Sequence, residues 1–166
     1  MRESLFHAEL AVAFRAADCW MAKWPDLPAR ELARHDTGGA IRFTVPKPCD
    51  LVGCRPPQGQ LVAIEAKLWR SRTVRLDDRL IRQVETLRAI ARCGGWAALA
   101  VNFRFESKRP PARVNRAFLL TRLDGTLAAQ DRFTLTDAEV LAVELPRVRG
   151  GWQLPPSLWA NSTNLV

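Results

Sequence analysis

The sequence predicts an α/β fold in which a central mixed β-sheet is flanked by helices. Three observations predict it. Apolar residues recur at helical spacing near the start of the chain and again between Asp77 and Ala91. The stretch between them, from Ala40 to Leu68, alternates in the manner of strands, and Ala97-Ala98-Leu99-Ala100-Val101 is the unbroken apolar run of a strand buried on both faces.

From Ser4 to about Lys23, the residues Leu5, Phe6, Leu10, Val12, Ala13, Phe14, Ala17, Trp20 and Met21 trace one face of an amphipathic helix, with Ser4 placed to cap it. Trp24-Pro25-Asp26-Leu27-Pro28 breaks that helix, a short helix over Ala29–Arg34 follows, and His35-Asp36-Thr37-Gly38-Gly39 is a loop. Strands are expected at Ile41–Val45, Asp50–Cys54 and Gln60–Leu68, the last two joined by the turn Pro56-Pro57-Gln58-Gly59. After the basic stretch Trp69–Arg75, Asp77 or Asp78 caps a second helix with the stripe Leu80, Ile81, Val84, Leu87, Ile90 and Ala91, which Gly94-Gly95 ends. Trp96–Phe105 reads as a strand, Glu106–Asn115 as a basic loop, Arg116–Thr121 as the returning strand and Thr136–Glu144 as a short helix. No linker or repeat divides residues 1–166, so a single domain is expected, with no role legible for the segment from about 125 to 166.

Composition narrows the function classes. Apolar residues make up 48% of the 166 and charged residues 25%, enough for one well-filled core and too much for disorder. No apolar run approaches the roughly 18 residues of a membrane span and no signal-peptide pattern opens the chain, so a soluble protein of the cytoplasm is expected. It would be associated with the nucleoid, or with the host cytoplasm for a viral source. Cys19, Cys49, Cys54 and Cys93 form no CxxC pair and only two histidines are present, which leaves almost no ligand set for structural zinc and favours reduced thiols. The 25 Lys and Arg exceed the 17 Asp and Glu by eight, pointing to a polyanionic partner, nucleic acid first. Only Lys23, Lys47, Lys67 and Lys108 are lysines, so each position that keeps Lys stands out against the arginines.

The chemically informative segment is Asp50-Leu51-Val52 followed by Ile64-Glu65-Ala66-Lys67. On a strand Glu65 and Lys67 share one face while Ile64 and Ala66 take the other, and the hairpin turn returns Asp50 beside Glu65. Two carboxylates and an ammonium would then converge. Such a group can hold Mg²⁺, with Mn²⁺ as an alternative, where the metal would lower the pKa of an attacking water and stabilise a departing phosphodiester oxygen. Lys67 could orient or deprotonate that water, which Arg cannot do because it keeps its proton. Glu9 falls between Ala13, Ala16 and Trp20 on the helix, inside the apolar arc, so its carboxylate needs a cation, a metal or a proton. His7 falls towards the polar side and is expected to be solvated.

Asp50, Glu65-x-Lys67 and the upstream helical Glu9 together resemble the PD-(D/E)xK nuclease superfamily, and within it the archaeal-type Holliday junction resolvases of the Hjc kind. The resemblance spans about Glu3 to Thr121 and includes the Arg34 to Gly39 loop, the helix ending in a double Gly, Ala98-Leu99-Ala100-Val101 and Arg116-Ala117-Phe118-Leu119-Leu120. It implies a PD-(D/E)xK nuclease-like fold and a metal-dependent endonuclease that resolves four-way junctions as a homodimer. Asp50 and Glu65 would bind the metal, Glu9 would assist it, and Lys67 would act on the water. The chain departs from the family in having Leu10 where an Arg usually follows the helical Glu, and Thr37 where the loop usually carries Ser. The segments Trp24–Ala33 and Ile41–Pro48 are also similar to the bacterial resolvases of the superfamily.

Basic clusters flank the site: Arg34 and Arg42 before it, Arg70, Arg72 and Arg75 after Lys67, and Lys108, Arg109, Arg113 and Arg116 in the later loop. With Thr37 they are the expected contacts to a DNA backbone read by shape. Two equivalent incisions suit a two-fold dimer, at which Trp152 and Trp159 are candidates for burial, whereas Trp69 is expected to pack in the core. Two other readings stay open: a restriction-like or nicking nuclease on linear duplex, and a non-catalytic DNA-binding module.

Overall fold

The computed structural model describes residues 3–25, 47–107, 112–123, 127 and 130–159. The expected short helix at 29–34 and strand at 41–45 lie outside them. In chain order the elements are α1 (Glu3–Arg15), β1 (Trp20–Lys23), β2 (Leu51–Arg55), β3 (Gln60–Trp69), β4 (Thr73–Arg75), α2 (Asp78–Arg92), β5 (Trp96–Glu106) and β6 (Arg113–Leu120). They continue with β7 (Arg132–Thr134), α3 (Leu135–Leu141), β8 (Val143–Leu145), β9 (Arg147–Val148), β10 (Gly151–Trp152) and a 3₁₀ turn (Pro156–Trp159).

Among the described residues, six strands form the central sheet in the order β1-β2-β3-β5-β6-β8. Of these, β3 and β5 run parallel, joined across one face by α2, and the other neighbours antiparallel, so the sheet is mixed as the sequence predicts. The pleat of β3 sorts its side chains. Val62, Ile64 and Ala66 join Phe6, Leu10 and Phe14 of α1 in one apolar layer, and Ala63 joins Leu80, Val84 and Leu87 of α2 in the other. Each fully buried Leu or Phe stabilises the fold by about 1.5–3 kcal/mol over its exposed state.

The first helix is shorter than its apolar periodicity predicts. It ends at Arg15 because Asp18 takes a left-handed conformation (φ 60°), letting Cys19 N–H donate to the Phe14 carbonyl at 3.0 Å and Asp18 N–H to that of Arg15 at 3.2 Å. Trp20–Lys23, expected as the helix's last turn, is instead an edge strand antiparallel to β2. Its close approach demands Gly53, where a Cβ would meet the Trp20 carbonyl oxygen at 2.1 Å. In α2 the expected cap holds: Asp77 accepts the Leu80 N–H at 2.8 Å, and Gly94 (φ 85°) closes the helix.

The end of the chain also departs from expectation. Thr134 and Asp137 form a capping box that starts α3, and the helix stops at Leu141, so Val143–Leu145 becomes the sixth strand beside β6. The β9–β10 hairpin and the 3₁₀ turn then cover α1. Trp152 packs edge-on against Phe6 at 6.5 Å, and Trp159 stacks near Trp96 (5.0 Å) and Phe14 (6.0 Å). These two tryptophans therefore pack on the core of their own chain. Trp69 packs on Phe103 and Phe133, as expected. The four cysteines are free thiols, and no helix among the described residues is long and apolar enough to cross a membrane.

Candidate active site

Asp50 sits one residue before β2, where backbone bonds pin it from both sides: its N–H donates to the Ile64 carbonyl at 3.0 Å, and its carbonyl accepts from Trp24 N–H at 2.8 Å. Since Leu51 stands opposite Ile64, Asp50 stands opposite Glu65. Its Oδ2 accepts the Ala66 N–H at 3.0 Å and its Oδ1 the Lys47 ammonium at 2.9 Å. Glu65 projects from the α2 face of β3 and is 1% exposed. A single oxygen of its carboxylate, Oε1, accepts from Lys67 Nζ at 2.5 Å and from Gln83 Nε2 of α2 at 2.6 Å. The expected convergence of Asp50, Glu65 and Lys67 is thus present in the geometry.

The two carboxylates differ electrostatically. Burial alone would raise Asp50, but the Ala66 N–H and the Lys47 ammonium outweigh it and hold the carboxyl below its ordinary range. Burial pushes Glu65 up to about 7; Lys67 offsets part of that, and the nearby Asp50 charge adds to it. Each carboxylate is paired with a lysine, Asp50 with Lys47 and Glu65 with Lys67. Oxygen donors from two carboxylates with water are a set that Mg²⁺ accepts. Among the described residues no group of three or more His, Cys, Asp or Glu side chains is placed to hold a metal ion as it stands.

Beside Asp50 opens a cleft of about 520 Å³ between the starts of the two long helices. Glu3, Ser4 and His7 of α1 form one wall and Arg79, Arg82, Gln83 and Thr86 of α2 the other, with Lys23 and Lys47 at the sheet edge. Four cations thus surround one aspartate in a groove, an arrangement that attracts an anionic chain to the carboxylates.

Glu9 does not join this group. Its carboxylate is held by the Arg147 guanidinium of β9 through two bonds, Nη1 to Oε2 at 3.0 Å and Nη2 to Oε1 at 3.1 Å, and Gly151 lies against its side chain. The buried acid has its cation, as the sequence requires, but the cation is an arginine. The helix residue that faces the site is His7, two positions earlier and so roughly 200° around the helix. His7 is 8% exposed, not solvated, and its Nε2 lies 3.6 Å from Asp50 Oδ2.

The basic positions divide. Arg34, Thr37, Arg42, Lys108 and Arg109 lie outside the described residues. Arg70, Arg72 and Arg75 are exposed beyond the end of β3, and none of them lines the cleft. Arg113 is exposed with Glu106 at 3.6 Å. Arg116 is taken up by Glu144, at 2.7 and 2.6 Å, and by Glu139, in an ion-pair network on the sheet's edge side. Sequence reasoning missed His7, Gln83, Arg79 and Arg82 as site residues. A signal existed for the last three: positions 79, 82 and 83 share one face of α2. The scarcity of lysine points at Lys23, Lys47 and Lys67, all three of which border the site.

No family model matches the chain, and no curated protein does. Among solved structures, the chain is similar to Hjc of Archaeoglobus fulgidus, a Holliday junction resolvase from an archaeal hyperthermophile. The two are 19% identical, with a TM-score of 0.50, over 85% of this chain and 94% of that one. At this identity the likeness is one of fold: the mixed sheet flanked by helices is shared.

Proposed function

We propose that the protein is a metal-dependent, structure-selective endodeoxyribonuclease that cuts branched DNA, four-way junctions in particular. The observation that carries this reading is the grouping of Asp50, Glu65 and Lys67 on neighbouring strands, with Asp50 lining a cleft walled by Arg79, Arg82, Lys23 and Lys47. The shared fold with a junction resolvase supports it.

In this reading Asp50 and Glu65 hold a divalent metal, Mg²⁺ or Mn²⁺. When bound, the metal lowers the pKa of water and stabilises charge on phosphodiester oxygens. Asp50 is kept ionised by the Ala66 N–H and Lys47, so it is ready to accept a cation. Gln83 fixes the Glu65 carboxylate from α2, and the burial of Glu65 excludes bulk water from one side. Lys67, on the same strand face, would orient the attacking water as an ammonium or take its proton as the neutral amine, whereas a guanidinium keeps its proton and could not serve as the base. Arg79, Arg82, Lys23 and Lys47 position the phosphate backbone without reading bases, so selection rests on DNA shape. Glu9 has a structural part here, through Arg147. Two equivalent cuts suit a two-fold homodimer.

The test compares a synthetic four-way junction with a linear duplex of the same sequence, each with Mg²⁺, with Mn²⁺ and with chelator. The expected result is cutting of the junction only, abolished by chelator and by Lys67→Ala. Equal cutting of both substrates would overturn junction selectivity. Binding of the junction with no cleavage under any metal would reduce the protein to a DNA-binding module.

A further inference from the structure

His7 is a buried side chain whose polarity no described residue satisfies. Both ring nitrogens, Nδ1 and Nε2, are buried without a hydrogen-bond partner among the described residues; the residue is 92% shielded from solvent and lines the cleft at Asp50. A buried donor or acceptor left unpaired is costly, so such a group calls for a ligand. The distance indicates which kind. At 3.6 Å from Asp50 Oδ2, Nε2 is too far for a hydrogen bond. Two ligands of one ion, each bound at about 2.1 Å, stand roughly 3.0–3.4 Å apart at octahedral to tetrahedral angles, so a shift of about 0.2–0.6 Å would seat both.

We infer that His7 is the helix-borne ligand of the metal that Asp50 and Glu65 hold, supplying one imidazole nitrogen to an otherwise oxygen-based site. The inference rests on the metal-dependent reading and goes beyond it by naming the third ligand and its consequence. The helix acid that could have taken this place, Glu9, is committed to Arg147 on the other side of α1. An imidazole among carboxylates shifts preference from Mg²⁺ towards Mn²⁺ and later transition ions. His7→Gln is therefore expected to weaken Mn²⁺ binding more than Mg²⁺ binding.

The chain contains only two histidines, His7 and His35, which makes the assignment testable by spectroscopy without an activity assay. Mn²⁺ is added to the full-length protein, and pulsed electron paramagnetic resonance reads nitrogen coupling to the bound ion, with ¹⁴N-histidine and with ¹⁵N-histidine. The coupling should be present, change with the isotope, persist in His35→Ala and vanish in His7→Gln. Calorimetry should show Mn²⁺ bound about tenfold or more weakly by His7→Gln. Should His7→Gln fail to fold, the isotope comparison on His35→Ala still decides, because His7 is then the sole histidine. Bound Mn²⁺ without histidine coupling, or with coupling that His35→Ala removes, would overturn the assignment while leaving the nuclease reading intact. No Mn²⁺ or Mg²⁺ binding by the unaltered protein would overturn both.

Discussion

Arg147→Ala is the perturbation that most sharply separates a structural Glu9 from a catalytic one. The mutation leaves a carboxylate that is 91% buried without its two guanidinium bonds and removes a cation held 4.6 Å above the Trp152 ring. Breaking a fully buried pair from one side costs about 3–5 kcal/mol, whereas an exposed pair contributes at most about 1 kcal/mol. The Arg147 side chain is 40% exposed, so solvent screens part of the interaction and the expected loss lies between, about 1.5–3 kcal/mol. For a chain of this length each kcal/mol moves the melting temperature by about 2–4 °C, giving a drop of roughly 3–12 °C. Urea and thermal unfolding of Arg147→Ala, Glu9→Gln and the double variant Glu9→Leu/Arg147→Met measure it. The double variant should recover most of the stability, since an apolar pair of similar volume replaces the ion pair. The reasoning is refuted if Arg147→Ala unfolds within about 0.5 kcal/mol of the unaltered protein, or if a normally stable Glu9→Gln loses metal-dependent cleavage.

Three further outcomes follow from the same geometry. Arg79→Ala and Arg82→Ala should each lower the slope of junction affinity against salt by about one counterion, read by titrations at several salt concentrations; an unchanged slope would remove the cleft from the DNA path. Gln83→Leu deletes the α2 bond to Glu65 and should lower the cleavage rate by about tenfold or more with little change in junction affinity or melting temperature. Arg116→Ala should cost under about 1 kcal/mol and leave junction affinity unchanged, because Arg116 is engaged by two partly exposed glutamates. An affinity loss matching that of Arg82→Ala would return it to the DNA surface.

How far the site is legible in the sequence depends on the range of the interaction that sets each part. The strand pair is local: alternation fixes the face of Glu65 and Lys67, and a turn of four residues returns Asp50 opposite Glu65, so these were readable from spacing alone. The cap of α2 is equally local. The end of α1 was not readable, because its left-handed cap is Asp18 and not glycine, and because Trp20 and Met21 continue the helical period by coincidence. The orientation of α1 was hidden for a different reason. A helical wheel assigns one buried and one solvated face, but α1 is covered twice, by the sheet and by the β9–β10 hairpin. The guanidinium that neutralises Glu9 lies 138 residues away in sequence, a pairing no local pattern announces. His7 is buried on the other side, beside Asp50 and in the cleft between the helices, a burial that the helical period alone does not show. The short strands β7 and β8 carry too few residues for alternation to register.

The central claim is that Asp50 serves chemistry and not binding. Asp50→Asn keeps the side chain's size but removes the charge that a metal needs. Measured on one fluorescent four-way junction with Mg²⁺ or Mn²⁺, the variant should bind within a few-fold of the unaltered protein and cut at least about 10²-fold more slowly. Cleavage at the unaltered rate by a folded Asp50→Asn would contradict the account.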